Sequence, residues 1–363
     1  MINHTKTYTP TEVSAPGETL REILDDRSIS QADLATRMGR PQKTISEIVN
    51  GKAAITTETA LELELVLSVP ATFWLAREAH YRESLARIEL QSELEKGREW
   101  CLKFPVRSME RFGWIPPASD WRQRVRSLLE FFGVASAEQW ETVHRNYAVA
   151  FRHPHKFASD KFALSAWLRA GVREAQSRAT ADYDRQSFVE ALAEARLLTK
   201  SSPAHFTKRL PECMARAGVV VVFIPELPES RASGATQWIS ATKALVQLSL
   251  RYKTDDHLWF TFFHEAAHVL LHSKKAIFIE LNEHKGEEED EANSWAADFL
   301  IPREQYAALS SWTVYSRASV GAFADRLGIA PGIAVGRLQH DGLIPHSRLN
   351  EMKQRFEWTP ARG

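Results

Sequence analysis

Residues 258–271, which read LWFTFFHEAAHVLL, decide the fold of this chain. The only polar side chains in this stretch belong to Thr261, His264, Glu265 and His268, so it predicts a buried helix with one polar stripe. At about 100° per residue, the two histidines lie roughly 40° apart on one face and one turn apart along the axis. Both imidazoles can therefore reach a single metal ion.

The residue types in this pattern indicate a metal-dependent hydrolase. Imidazole nitrogens satisfy zinc at about 2.0–2.1 Å, and Glu265, which is not needed as a ligand, can accept a proton from a water molecule that the metal activates. The alternative is a helix that buries two histidines against ordinary hydrogen-bond partners. Burying these groups without partners costs about 1–3 kcal/mol each, so something must satisfy this face of the helix.

A third zinc ligand is expected from a second element, because catalytic zinc usually keeps three protein ligands and an open position. The acidic entry into the next predicted helix, residues 287–293, is the obvious source. The apolar side of that helix favours Glu289 as the ligand, with Glu288 and Glu291 as alternatives. Asn293, four residues after Glu289, is placed to orient a ligand histidine.

His272 continues the histidine series by one more turn, which suggests a site with three histidines. Eight residues of straight helix rise about 12 Å, too far for one ion with bonds near 2 Å. We therefore expect His272 to lie behind the ligands, beside the substrate or at the surface.

The N-terminal region predicts a helix-turn-helix. Ser30 is a predicted helix N-cap with Asp33 three residues later, and Gly39 ends that helix. A second short helix follows over residues 41–49 and ends at Asn50-Gly51. The supporting helices are predicted at Thr57–Leu67 and Ala71–Tyr81.

Charge limits the kind of nucleic-acid binding. The chain has 46 basic and 46 acidic residues. Residues 14–83 carry 8 basic and 11 acidic side chains, whereas residues 37–52 carry four basic side chains against Glu47 alone. The basic surface is therefore local, and strong non-specific DNA binding by a monomer is not expected.

Two cysteines, Cys101 and Cys213, lie far apart and form no Cys-x-x-Cys motif, which argues against a disulfide scaffold or a thiolate zinc site. No apolar run approaches the length of a membrane span, and the first residues lack the apolar core of a signal peptide. We therefore expect a cytoplasmic protein that does not act at a membrane.

The predicted fold class is mainly α with a small β-sheet (α+β). Four regions are expected: an all-α helix-turn-helix domain at 14–83, a helical linker at 84–204, a zincin-like metallopeptidase domain at 205–310 and a C-terminal helical subdomain at 311–363. Strands are predicted at 219–224 and 244–250, both before the His-Glu-x-x-His helix.

The residues around the metal motif resemble the ImmA/IrrE family of zinc metallopeptidases. The resemblance covers roughly residues 205–345 and rests on the run WFTFFHEAAH and on EDEANSWAADFLIP from Glu289 to Pro302. It implies zinc bound by His264, His268 and Glu289, with Glu265 as the general base. Trp295 stands where the family more often has Phe.

Residues 16–75, including SQADLATRMGRPQKTISEIVNGKAAIT from Ser30 to Thr56, resemble the Xre-type helix-turn-helix of HigA-like antitoxins. The resemblance implies that the helix over residues 41–49 reads DNA. Side chains of types suited to base edges or phosphates would then face the duplex: Gln42, Lys43, Thr44 and Ser46. A helix-turn-helix used only for protein interactions is the alternative.

Together these features predict a DNA-binding regulator whose zinc endopeptidase domain cleaves a regulatory protein such as a repressor. An extended peptide is expected to add to the edge of the strand at 244–250. The alternative is an antitoxin-like transcriptional repressor with a non-catalytic metal site. Double-stranded DNA and a protein substrate are the expected partners, and a homodimer and a bound toxin are further candidates.

Overall fold

The computed structural model describes residues 13–150, 160–274, 277–280 and 286–358, with the backbone alone for 144–150. It divides into two compact units, Met1–Lys96 and Gly97–Gly363. The described chain is mostly helical and contains one four-stranded sheet, so the predicted α+β class with a helix-turn-helix start is confirmed. No helix within these ranges combines the length and apolar character needed to cross a membrane.

The N-terminal unit is a bundle of five helices: α1 Pro16–Asp26, α2 Gln31–Met38, α3 Gln42–Val49, α4 Thr57–Leu67 and α5 Ala71–Lys96. The Ser30 side chain accepts a hydrogen bond from the backbone N–H of Asp33 at 3.0 Å, as the predicted N-cap requires. Gly39 ends α2 with φ +66°, a left-handed conformation that favours glycine. The apolar faces of the helices meet in one core around Leu34, Ile45 and Trp74.

The prediction that the fifth helix ends at Tyr81 is wrong, because α5 continues to Lys96. No glycine or proline interrupts this stretch. Ion pairs between neighbouring turns, including Arg82 with Glu78 at 2.8 Å, support the exposed part of the helix. Propensity and side-chain pairing thus extend the helix beyond the apolar pattern on which the prediction depended.

The second unit begins with helices and a short 3-10 turn at Leu198–Lys200. The helices are α6 Arg98–Cys101, α7 Val106–Arg111, α8 Trp121–Phe132, α9 Ala137–Ala150, α10 Lys161–Gln176, α11 Arg185–Leu197 and α12 Pro203–Ala215. Cys101 and Cys213 are buried free thiols. The α10 helix packs on β1 (Val219–Phe223) and β3 (Lys243–Leu248), so the region predicted as a linker contributes to the layer beneath the sheet.

The sheet has the order β1-β3-β2-β4, where β2 is Gly234–Ser240 and β4 is Phe278–Glu280. The β1 and β3 strands are parallel, whereas β2 is antiparallel to both β3 and β4. The expectation that the strand at 244–250 offers an edge to a peptide is therefore wrong, because β3 is paired on both sides. The β2 strand pairs with β3 on the side opposite β1. The sequence did not predict β2, because this strand includes only a short apolar run.

The remaining helices complete one core with the sheet: α13 Asp255–Leu271, α14 Glu287–Leu300, α15 Arg303–Ser310, α16 Arg317–Leu327 and α17 Pro331–His340. A 3-10 turn follows at Asn350–Met352. Side chains of α16 and α17, including Phe323 and Val335, belong to the same core as those of α13. The segment predicted as a C-terminal subdomain thus packs with the predicted metallopeptidase region.

Candidate metal centre

The α13 helix is held on several sides by apolar contacts. It packs against β2, β3, α14 and α17, and Trp259, Phe262 and Phe263 lie fully within the core. Asp255 and Asp256 lie in its first turn, where acidic side chains interact favourably with the positive end of the helix dipole. Because the apolar side chains determine how the helix is rotated, the stripe that carries His264 and His268 is directed inward as well.

The α14 helix brings the third candidate ligand to the same place. Ala292, Ala296 and Leu300 form its buried face, and Glu289 continues that face one turn earlier. At the other end of the helix, the Arg196 guanidinium donates hydrogen bonds to the carbonyl oxygens of Phe299 at 3.0 Å and Leu300 at 2.8 Å. Arg196 therefore ties the end of α14 to α11 and limits movement of the helix that carries Glu289.

His264, His268 and Glu289 converge in the core. The two Nε2 atoms are 3.0 Å apart, and the Glu289 Oε2 atom is 3.1 Å from His264 Nε2 and 3.7 Å from His268 Nε2. Tetrahedral zinc with bonds near 2.05 Å separates its ligand atoms by about 3.3 Å. Among the described residues, these three form the group whose donor atoms are arranged to hold a metal ion.

The carboxylate of Glu265 lies beside this group. Its side chain is 0% exposed, and within the described chain neither carboxylate oxygen has a protein partner. A Cβ at Gly234 would approach Glu265 Oε1 to 2.6 Å, so only glycine leaves room for this carboxylate against β2. Thr236 donates a hydrogen bond to the backbone carbonyl of Glu265 at 2.9 Å. The unpartnered carboxylate and the three donor atoms fit a metal site with an adjacent general base.

Burial and charge shift the pKa values of the four side chains in this group. Burial opposes a charge on His264, but its hydrogen bond to Glu289 and the nearby carboxylates outweigh burial and raise the pKa of His264 to about 9. Burial lowers the pKa of His268 to about 4. Burial also opposes ionisation of Glu289, yet the hydrogen bond from His264 and the nearby imidazole of His268 bring the pKa of Glu289 well below its usual range. Burial raises the pKa of Glu265 well above its usual range.

The other candidates for the third ligand lie elsewhere. Glu291 is 59% exposed, and its Oε2 atom is 3.2 Å from His272 Nε2. Glu288 is half-buried. Asn293 Oδ1 lies 2.9 Å from His264 Nδ1, which is the contact expected of a residue that orients a ligand histidine. The geometry thus brings Glu289 and Asn293 to His264.

Sequence reasoning missed the contribution of β4. The Phe278 ring stacks on the His268 imidazole with 4.0 Å between ring centroids. Glu280 lies opposite Gly234 in the strand pairing, and its charge contributes to raising the pKa values of His264 and Glu265. Its Oε2 atom is buried without a partner among the described residues. A three-residue strand beyond the motif helix has too short a pattern to be detected in the sequence.

A cavity of about 690 Å³ lies between α13, α14 and α17. Phe260 and Asn293, two of its lining residues, are neighbours of His264. Asn293 approaches the Nδ1 atom of His264, whereas the candidate metal position lies at Nε2. The cavity therefore lies on the Nδ1 side of the His264 ring, away from the candidate metal position at Nε2.

The four candidate DNA-reading residues all lie on α3, and their exposure to solvent differs. Gln42 and Lys43 are exposed, whereas Thr44 and Ser46 are half-buried. The Lys43 Nζ atom is 3.8 Å from a carboxylate oxygen of Glu47, an exposed pair that leaves the ammonium largely in water. The opposite face of α3 is buried in the core of the N-terminal unit.

Two family models match the chain. Residues 214–339 match the IrrE N-terminal-like domain, Peptidase_M78, and residues 20–74 match a helix-turn-helix model. The uncharacterized HTH-type transcriptional regulator YddM of Escherichia coli (strain K12) is 35% identical over 60 residues. That match covers 16% of this chain and 64% of YddM, slightly less than two thirds of the relative.

Solved antitoxin structures also share sequence with this chain. An addiction module antidote protein of the HigA family from Coxiella burnetii is 29% identical, with 24% of this chain and 95% of that chain covered and a TM-score of 0.22. The Pseudomonas aeruginosa antitoxin HigA, solved with the higBA promoter, is 28% identical, with coverage of 23% and 94% and a TM-score of 0.22.

The chain therefore carries two kinds of domain, a helix-turn-helix domain and a domain of the Peptidase_M78, IrrE N-terminal-like family. The predicted resemblance to ImmA/IrrE proteins is confirmed at this level. The candidate metal triad and Glu265 all fall within the matched peptidase segment.

Proposed function

We propose that this protein is a DNA-binding regulator whose second unit is a zinc endopeptidase that cleaves a regulatory protein such as a repressor. The observation that carries the proposal is the buried group of His264, His268 and Glu289 beside the unpartnered carboxylate of Glu265. A site that only stabilised the fold would not require this extra carboxylate, which costs free energy when buried without a partner.

His264, His268 and Glu289 would hold the zinc ion. When bound, zinc supplies Lewis acidity, which polarises a carbonyl group and makes water a better nucleophile. Glu265 accepts the proton of the attacking water as the general base. The protonated Glu265 then passes the proton to the leaving amine of the cleaved peptide bond.

The β4 strand is the best candidate to align an extended peptide. It stands at one end of the sheet order, and its residue Phe278 contacts the His268 ring. Backbone pairing with such a strand holds many sequences equally well. Selection of the substrate would then depend on docking of the partner or on its presence at the same DNA site.

The test is cleavage of candidate repressors by the full chain and by Glu265→Gln. Glutamine has nearly the shape of glutamate but cannot accept the proton, so we expect cleavage to fall at least ~100-fold. Zinc content should stay near one ion per chain, whereas His268→Ala should lose most of it. Both variants should keep promoter binding.

Two results would reject this mechanism. Cleavage by Glu265→Gln at the wild-type rate would remove the proposed base, and full zinc content in His268→Ala would remove the proposed site. If the full chain binds zinc and its promoter but cleaves no partner under inducing conditions, the protein is an antitoxin-like repressor with a non-catalytic metal site.

A further inference from the structure

A chain of hydrogen bonds runs outward from His268. His268 Nδ1 lies 2.8 Å from His272 Nδ1, and His272 Nε2 lies 3.2 Å from Glu291 Oε2. The His272 side chain is 4% exposed, whereas that of Glu291 is 59% exposed. The chain therefore begins at a candidate zinc ligand in the core and ends at a carboxylate in contact with water.

The chemistry of imidazole gives this chain one direction. If His268 Nε2 faces the metal, its proton must be on Nδ1, because a neutral imidazole has one donor and one acceptor nitrogen. His272 Nδ1 must then accept that proton's hydrogen bond, so the proton of His272 is on Nε2. That N–H in turn donates to Glu291. The carboxylate thus favours the only arrangement of protons that leaves His268 Nε2 free to bind a metal.

The other candidate histidine ligand is held differently. His264 Nδ1 lies 2.9 Å from the side-chain oxygen of Asn293, a single neutral acceptor. His268 instead reaches an anionic acceptor through His272, and Phe278 packs flat against the His268 ring and also lies beside the His272 ring. Glu291 lies on the exposed side of α14, and His272 bridges the distance between it and His268.

We propose that His272 and Glu291 are positioning residues that hold His268 in the tautomer and ring orientation needed for zinc. This inference rests on the metal site of the proposed function and extends it to two residues outside the ligand set. Hydrogen-bond partners behind a ligand typically contribute 10–100-fold to metal affinity. His272→Ala should therefore weaken zinc binding by about that factor.

His272 also ends α13, where its backbone N–H donates to the His268 carbonyl oxygen. A change at this position can therefore affect helix stability as well as zinc affinity. His272→Asn separates the two effects, because its amide oxygen can take the place of Nδ1 and accept the hydrogen bond from His268. We expect His272→Asn to recover most of the zinc affinity lost in His272→Ala.

The experiment measures zinc dissociation constants of the full-length variants by competition with a chromophoric chelator, and the visible spectrum after cobalt substitution. Glu291→Gln should weaken zinc binding several-fold on its own and have no further effect when combined with His272→Asn, because the connection to residue 291 is already lost. Glu287→Gln, which removes the same charge from an exposed position one turn earlier on α14, is the matched control and should leave the affinity unchanged.

The inference is overturned if His272→Ala binds zinc within twofold of the wild type, or if His272→Asn is as weak as His272→Ala. If Glu291→Gln and Glu287→Gln changed zinc affinity equally, Glu291 would act only through its negative charge and not through its hydrogen bond to His272. These outcomes leave the peptidase proposal intact as long as His268→Ala loses its zinc. Unchanged zinc binding by His268→Ala would instead reject the metal site itself.

Discussion

Gln42 and Lys43 on α3 are exposed, and the Lys43 side chain keeps 85% of its surface in water, whereas His264 is 2% and Glu265 is 0% exposed on α13. Gln42 and Lys43 therefore keep their hydration, and the fold places almost no constraint on the identity of these two side chains, whereas Thr44 and Ser46 are half-buried. The candidate metal site lies within the core. Its polar groups must satisfy one another or a ligand, because water does not reach them.

This difference indicates how each region could change. A surface that reads DNA can exchange residues at little cost in stability, since only the opposite face of α3 packs in the core. In the second unit, Gly234, Thr236 and Asn293 each contact a residue of the candidate site. A change at any of these supporting positions would disturb the site as well as the packing.

The largest effect that tests the comparison between the exposed α3 surface and the buried metal site is expected on promoter affinity. The double variant Gln42→Ala/Lys43→Ala should bind the chain's own promoter at least ~30-fold more weakly, because two groove contacts of about 1–3 kcal/mol each are lost. Zinc content should not change. Promoter affinity is measured at one fixed salt concentration.

The matched control is Gln91→Ala/Lys96→Ala, which removes the same residue types from exposed positions on α5 of the same unit. It should leave promoter affinity unchanged. Equal promoter affinity of both double variants and the wild type would break the comparison and favour a helix-turn-helix that binds only proteins.

A second effect, of about 2 kcal/mol, tests whether the buried site opposes folding. In the metal-free protein, Glu265→Met replaces an unpartnered buried carboxyl group by an apolar side chain of similar size, so it should raise the free energy of unfolding by that amount. Lys43→Met, in water on α3, should stay within about 0.5 kcal/mol of the wild type. Denaturant unfolding followed by tryptophan fluorescence measures both, and a destabilised Glu265→Met would show that Glu265 has a stabilising partner.

The smallest effect concerns pH. Burial, together with the charge of Asp256, raises the pKa of Asp255 to about 7 in the folded protein. This pKa lies above the value of about 3.9 in the unfolded chain. Protonated Asp255 therefore contributes fully to the stability of the folded protein at low pH, and this contribution is lost as the pH rises through about 7. Asp255→Asn cannot ionise and should gain about 1.4 kcal/mol relative to the wild type between about pH 6 and about pH 8.

Asn keeps the side-chain oxygen that accepts hydrogen bonds from the backbone N–H groups of Asp256 and Gln354. The control is Asp290→Asn, the same change at an exposed position in the first turn of α14. A pH dependence that is the same in Asp255→Asn and in the wild type would show that Asp255 does not titrate in this range.

Local patterns were sufficient for several elements. Ser30 with Asp33 and the glycine at position 39 predicted the bounds of α2, because capping depends on residues within one turn. The apolar run around His264 predicted α13, since its period and composition suit only a buried helix. The end of α5 and the strand β2 were missed, because neither has a strong local signal.

The sequence by itself determined the residue types of the candidate site and the spacing that puts His264 and His268 on one helix face. Only the tertiary structure decided that Glu289, among three neighbouring acids, meets them, and that Glu291 instead pairs with His272. It also decided that β3 lies inside the sheet. The physical reason is that helical periodicity is local, whereas the rotation of α14 against α13 and the order of strands depend on how distant apolar faces pack together.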